Sequence, residues 1–243
     1  MRRHYAVLRH KDGRKKIVDN VQKRLTYMRR RLFTWARLVT EAGYRSAYRV
    51  AMVTLTYDVS GSLVAAANWE AGHMRQFMHR LKKRMGERLK AAAWVAELQG
   101  NGHVHYHLMV IFEGRFLYPD RPCIIDGVRY KRLWPYGMSR VDFKVKTLYY
   151  VCSYVGKEYQ KNFMDFPEGA HAWSVWIGDP AMHETLRFES LDDLGRQLVG
   201  TLGWAAGLYE YRDLRRAVSA ERGWSYAGSY LTRGLAEVMA GEA

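Results

Sequence analysis

The sequence predicts an α+β fold, an antiparallel sheet of about five strands with helices packed on one face. Two long stretches have the three- and four-residue apolar spacing of amphipathic helices. Several short stretches between and after them are rich in β-branched and aromatic residues, as strands are. From residue 49 to residue 160 the order is strand, helix, strand, strand, strand, helix. This order is typical of a split βαβ sheet.

The first predicted helix covers residues 17–42 and ends near Gly43, a plausible stop. Its inward positions are apolar: Val18, Val21, Leu25, Met28, Leu32, Trp35 and Val39. A strand is predicted over Arg49–Tyr57, where β-branched and aromatic residues dominate. Asn68 is a candidate N-cap for a second helix that runs to about residue 90.

Residues 92–99 and 103–112 predict two strands of a hairpin, joined by Gly100-Asn101-Gly102. A polar loop is expected over 113–138, a strand near Ser139–Phe143 and a helix over about 146–160. Further along the chain, weaker patterns indicate strands at 171–178 and 183–188 and helices near 190–201 and 229–240.

Charge divides the chain into three segments. Residues 1–49 hold 15 Lys and Arg against three acids, residues 50–161 hold 17 against nine, and residues 162–243 hold seven against 12. We interpret them as a basic N-terminal helical segment, a central core and an accessory C-terminal segment. The basic front two-thirds indicates a polyanion partner, most simply nucleic acid. The basic helix faces supply candidate DNA-binding residues: Arg30, Arg31, Lys82 and Lys83.

Several classes of protein are disfavoured by composition. No apolar stretch approaches the roughly 18 residues of a membrane span, so no membrane partner is expected. The basic N-terminus lacks the apolar stretch of a secretory signal. Cys123 and Cys152 form neither a disulfide framework nor a CxxC site, so we expect reduced thiols in the cytoplasm, here that of a bacterial host cell.

Three histidines alternate along the second hairpin strand. His103, His105 and His107 therefore share one face, because successive strand residues point to opposite sides. A three-residue loop would pair Glu97 with His105 and Val95 with His107, which puts Glu97 on the histidine face. Two imidazoles and a carboxylate with positions left open suit a divalent cation that also holds a phosphate. Mn²⁺ or Mg²⁺ is expected, since the thiolates of closed zinc sites are absent.

The helix predicted over 146–160 is rich in tyrosine. Tyr150 and Tyr154 are four residues apart and Lys157 follows, so all three share one helical face. Such tyrosines often only pack against a sheet. A phenol with a pKa of about 10 is a poor nucleophile at neutral pH, but a metal-bound phosphate and a lysine would compensate the developing charges.

The three motifs together resemble those of the HUH endonucleases, above all the rolling-circle replication initiators of phages and plasmids. Met52-Val-Thr-Leu-Thr-Tyr57 is similar to their first motif, Gly102-His-Val-His-Tyr-His-Leu-Met109 to the second and Tyr150-Val-Cys-Ser-Tyr-Val-Gly-Lys157 to the third. They occur in the family's order and cover about residues 50–161. Ser153 stands where many members with two tyrosines have lysine.

The resemblance implies roles for these residues. Glu97, His105 and His107 would bind the metal, Tyr154 would be the nucleophile, Lys157 would assist it and Tyr150 could be a second nucleophile. The implied reaction nicks single-stranded DNA at a replication origin, leaving a 5′-phosphotyrosine and a 3′-OH, and later rejoins ends. The chain has no GxxxxGK[ST] helicase motif, so a host helicase and polymerase are the implied partners.

Three alternatives remain open at this point. A relaxase or transposase of the same chemistry would share the motifs, although relaxases usually place the tyrosine before the histidines. A non-catalytic nucleic-acid-binding module would need the basic helices but not the histidine face. A metallohydrolase that activates water would need no tyrosine helix.

Overall fold

The computed structural model describes residues 4–58, 69–98, 104–116, 118–125, 127–157, 172–190, 196 and 224–231. The chain divides into two compact units, Met1–Arg30 with Glu184–Ala243, and Arg31–His183. The division into segments 1–49, 50–161 and 162–243 stays a prediction. None of the helices in the described ranges combines the length and the apolar character that a membrane crossing needs.

The smaller unit contains a three-stranded antiparallel sheet. Its strands are β1 (His4–His10), β2 (Lys15–Asp19) and β10 (Trp224–Leu231), in the order β10-β1-β2. The sequence did not predict β1 or β2, because lysine, arginine and histidine interrupt their apolar alternation. The helix expected near 229–240 is wrong at its start, where Tyr230 pairs with Tyr5 in the sheet. Its later residues, and nearly all of the helix expected near 190–201, lie outside the described residues.

The first helix, α1, spans Asn20–Glu41 and confirms the predicted amphipathic element. It begins three residues later than expected, because Ile17 and Val18 pair with β1. Five of the seven residues predicted to face inward are described, and all five are buried: Leu25, Met28, Leu32, Trp35 and Val39. Gly43 follows with a φ of 70°, a conformation that favours glycine, and ends the helix as expected.

The larger unit is built on one five-stranded antiparallel sheet, in the order β8-β3-β5-β4-β9. The predicted fold class is therefore confirmed. The elements that follow α1 are α2 (Tyr44–Ala47), β3 (Arg49–Tyr57), α3 (His73–Met85), β4 (Leu89–Leu98), β5 (Val104–Phe112), β6 (Cys123–Ile125), β7 (Val128–Tyr130), β8 (Gly137–Asp142), α4 (Tyr150–Lys157), β9 (Trp173–Ile177) and α5 (Pro180–Glu189).

Helix α3 packs on one face of this sheet. Its residues Met74, Phe77, Leu81 and Met85 join a core made of alternate residues of β3, β4 and β5. The helix is shorter than predicted. It begins at His73, while the candidate N-cap Asn68 lies outside the described residues, and it ends before Gly86, whose φ is 55°. A single 3-10 turn over Gly86–Arg88 then leads into β4.

The second half of the unit differs from expectation in two places. The loop expected over 113–138 contains the hairpin β6–β7. The strand expected at 183–188 is wrong, because these residues belong to α5. An Asp-Pro pair starts this helix: Asp179 accepts a hydrogen bond from the backbone N–H of Met182 at 3.1 Å, and Pro180 takes the first helical position. The strand expected at 171–178 is confirmed as β9, which pairs with β4 in the main sheet.

Candidate active site

The candidate site lies on the face of the sheet opposite to α3. Along β5, Tyr106 and Leu108 point into the α3-side core, so His105 and His107 point to the other side. The predicted hairpin register is confirmed: Glu97 lies opposite His105 and Val95 opposite His107. Glu97 therefore shares the histidine face. His103 lies outside the described residues.

Both ring nitrogens of His107 have a partner on this face. The carboxylate of Glu97 contacts Nε2, and the hydroxyl of Thr54 lies 3.3 Å from Nδ1. A neutral ring satisfies both when Nε2–H donates to the carboxylate and Nδ1 accepts from the hydroxyl. The ring is 8% exposed. Its orientation is therefore fixed from two neighbouring strands, β3 and β4.

Sequence reasoning missed Thr54, and the pattern of the first motif could have revealed it. Thr54 pairs with His107, and Thr56 pairs with His105, so both threonines share the histidine face. Leu55, between them, belongs to the α3-side core. The alternation Thr-Leu-Thr thus places two hydroxyls beside two imidazoles.

The donor atoms here suit a divalent cation in kind. One carboxylate and two imidazoles occupy neighbouring positions of paired strands, a combination that Mn²⁺, Mg²⁺ and related ions accept. Within the described residues, no group of three His, Cys, Asp or Glu side chains lies close enough together to hold a metal ion. Glu97 and His107 are the two donors that the structure brings into contact.

Helix α4 lies on the same face as the histidines. It packs close to β4 and β5, and its residues Val151 and Cys152 are buried. Among the described residues, the α3-side core contains none from α4, so the helix covers the other face. This helix adds a layer to the predicted fold. Burial raises the pKa of the Cys152 thiol to about 12, so the thiol stays protonated and packs as a small apolar residue.

The tyrosine motif is helical, as predicted, but its helix starts at Tyr150 rather than near residue 146. The backbone N–H of Tyr149 donates to the hydroxyl of Thr147 at 3.2 Å, a local contact that precedes the first helical turn. The Tyr150 side chain is 48% exposed. Residues 150, 154 and 157 fall on one side of the helix, by its backbone. The side chains of Tyr154 and Lys157 lie outside the described part of the structure.

The four predicted DNA-binding residues lie on α1 and α3. Arg30 and Arg31 are half-buried on α1, and Lys83 is exposed on α3. Lys82 places its ammonium 4.3 Å from the centre of the Trp176 ring, and burial lowers its pKa. Part of this lysine's charge therefore serves packing between α3 and β9. The DNA-binding role of all four residues stays a prediction.

Taken together, the fold and site define an α+β protein in which a Glu/His strand face meets a tyrosine-bearing helix. Residues 50–159 match a family model of replication-associated proteins, those of the ORF2 type. The matched stretch begins at the second residue of β3 and extends two residues beyond α4, and it contains Glu97, His105 and His107. Comparisons with curated proteins and with solved structures found no match. Over this stretch the chain is thus similar to replication-associated proteins, as the motif resemblance implied.

Proposed function

We propose that this protein nicks single-stranded DNA through a tyrosine nucleophile and thereby initiates rolling-circle replication. The observation that carries the proposal is the Glu97–His107 contact on the sheet face that α4 covers. The similarity of residues 50–159 to replication-associated proteins supports the biological role. The buried core gives no reason for a carboxylate and two imidazoles to share a face, whereas phosphate chemistry does.

The reaction is a transesterification. The Tyr154 oxygen attacks the phosphorus, the bond from phosphorus to the 3′ oxygen breaks, and a 5′-phosphotyrosine forms. The phenolic proton leaves and the 3′ oxygen takes up a proton, so the reverse step can rejoin ends. Lys157 offsets charge on the attacking oxygen or the phosphate.

Glu97, His105 and His107 are the proposed ligands of a Mn²⁺ or Mg²⁺ ion, which would supply Lewis-acid polarisation of the scissile phosphate. Thr54 positions His107 through Nδ1, which leaves Nε2 directed toward Glu97. Tyr150 is proposed as a second nucleophile that acts in the later joining step.

The experiment that tests the nucleophile uses the full chain, Mn²⁺ and a pool of single-stranded oligonucleotides. A covalent adduct should persist in denaturing gels, and peptide mass spectrometry should locate it on Tyr154. Tyr154→Phe should abolish the adduct, since only the hydroxyl is lost. Tyr150→Phe should keep the first nick and impair rejoining. Tyr149→Phe, an exposed neighbour outside this helical face, is the matched control.

The outcomes separate the alternatives. Cleavage without any adduct would indicate a metallohydrolase, and binding without cleavage a non-catalytic module. An adduct on Tyr150 alone would overturn the assignment of Tyr154 but keep the class of enzyme. Cleavage that persists in excess EDTA would contradict the proposed metal.

A further inference from the structure

The hairpin β6–β7 is a two-stranded ribbon that the proposed reaction does not use. A two-residue connection joins its strands, and Gly127 supplies the positive φ, 77°, that such a turn requires. Ile124 pairs with Arg129 across the ribbon, so both side chains point to one face. Ile124 is 58% exposed and Val128 is 54% exposed. Large aliphatic side chains with this exposure on a short ribbon indicate a surface that binds something.

The ribbon has a firm base. Phe116 precedes it, Leu133 and Trp134 follow it, and all three side chains are buried in the α3-side core. Trp134 donates a hydrogen bond from Nε1 to the backbone oxygen of Thr56 at 3.0 Å. Arg80 of α3 donates to the backbone oxygen of Leu133 at 3.4 Å. The ribbon is therefore held at its root while its outer face stays exposed.

The charge of the ribbon indicates a polyanion. Residues 121–132 contain four cations and one acid, Asp126. All four cationic side chains are exposed: Arg121, Arg129, Lys131 and Arg132. The Arg121 guanidinium lies 4.3 Å from the centre of the Tyr118 ring, which holds this cation beside the ribbon.

The shape of the ribbon favours base-paired over single-stranded nucleic acid. Proteins that bind single strands present aromatic rings for base stacking. The outer face described here presents Ile124 and Arg129, with no ring among them. A two-stranded ribbon fits the major groove of B-DNA, which is about 12 Å wide, and arginine and lysine reach phosphates on either side.

We propose that the β6–β7 ribbon docks in a groove of base-paired DNA next to the strand that is nicked. This proposal rests on the proposed function for its biological setting, although the binding itself does not require the nicking site. The ribbon is rooted on the α3 side of the sheet, whereas Glu97, His105 and His107 lie on the opposite face. Duplex binding and nicking should therefore be separable by mutation.

The test measures affinity of the full chain for a short duplex and for one of its strands alone, over a range of salt concentrations. Arg129→Ala with Lys131→Ala should weaken duplex binding on the order of tenfold or more and reduce the salt slope by about two, one for each lost phosphate contact. Ile124→Ser should weaken duplex binding without changing the slope. Lys11→Ala with Lys144→Ala removes two exposed charges elsewhere and is the matched control.

The proposal requires that single-strand affinity and adduct formation on an unpaired oligonucleotide remain at the wild-type level in the ribbon variants. An equal loss for duplex and single strand would overturn it, and so would an unchanged duplex affinity or a wild-type chain that ignores duplex. Because these variants change exposed side chains, thermal melting should match wild type. Absence of any covalent adduct in wild type would instead contradict the proposed function and leave the duplex measurement valid.

Discussion

The two faces of β5 show how one strand serves two purposes. On the α3 side, Val104, Tyr106, Leu108, Val110 and Phe112 are all buried in one core. On the other side, Met109 and Ile111 are buried as well, but the strand then continues toward its start with His107 and His105. One face is apolar along its whole length, whereas the other changes from aliphatic to polar at His107. Stability and chemistry are thus assigned to different faces and, on the second face, to different ends.

The tyrosines on the two faces differ in the same way. Tyr57 and Tyr106 pack among Trp134 and other rings on the α3 side, and burial raises the pKa of both phenols. These phenols stay protonated and serve packing and hydrogen bonding. Tyr150, on the other face, is 48% exposed. Burial alone therefore removes Tyr57 and Tyr106 from the set of candidate nucleophiles.

The largest expected effect comes from the polar end of the histidine face. His105→Ala with His107→Ala should reduce nicking by on the order of 10³-fold or more, because both imidazole ligands are lost. DNA binding should remain, since the cations lie elsewhere. Adduct yield and anisotropy measured on the same preparation give both quantities. Near-normal nicking by this variant would show that the histidine face is not the site.

The next effect concerns the opposite face of the same strand. Leu108→Ala, one residue from His107, should reduce the free energy of unfolding by about 2–5 kcal/mol, because a fully buried side chain leaves a cavity. Its folded fraction should still form the adduct. Urea unfolding and adduct yield together test the separation of the faces. A loss of nicking with unchanged stability would contradict it.

The part of the site formed within the hairpin could be predicted from the sequence. Gly-Asn-Gly fixed the loop length, the loop length fixed the pairing of Glu97 with His105, and alternation fixed the shared face. Thr54 was not predicted, since it comes from a strand 53 residues away in the chain, and local patterns do not give the order of strands in a sheet.

The parts of the fold that sequence reasoning missed have the same cause. The strands β1 and β2 contain charged residues that break the apolar alternation, and their pairing with β10 joins the two ends of the chain. For the ribbon β6–β7, the Asp126-Gly127 pair was a usable turn signal, but each strand has only three residues. Such short strands do not show a two-residue period.

A smaller effect is expected from the hydrogen bond that ties Trp69 to the core. Trp69 donates from Nε1 to the Tyr106 hydroxyl at 2.9 Å, so Tyr106→Phe removes the acceptor and keeps the ring. The free energy of unfolding should fall by about 1–2 kcal/mol. Chemical denaturation measures this change, and Tyr149→Phe, at an exposed tyrosine, should leave stability within about 0.5 kcal/mol of wild type. Equal losses in both variants would contradict the assignment.

The smallest effect separates the two buried histidines by pH. His73 stacks on Tyr136 at 3.5 Å between ring centres, lies 3.4 Å from the Tyr57 hydroxyl, and has the Glu70 carboxylate 3.4 Å from Nε2. Burial lowers the pKa of His73, and Arg80 acts in the same direction, while Glu70 opposes both.

Because the unfolded chain then binds the proton more readily, the neutral ring stabilises the fold at neutral pH. This contribution should be lost as the pH falls below about 6.5, the usual value for histidine. Between pH 7.5 and pH 5, His73→Gln should therefore lose less stability than wild type does. His79→Gln, which removes an exposed histidine of the same helix, should follow the wild-type curve. Parallel curves for wild type and His73→Gln would mean that His73 takes up its proton without cost to the fold.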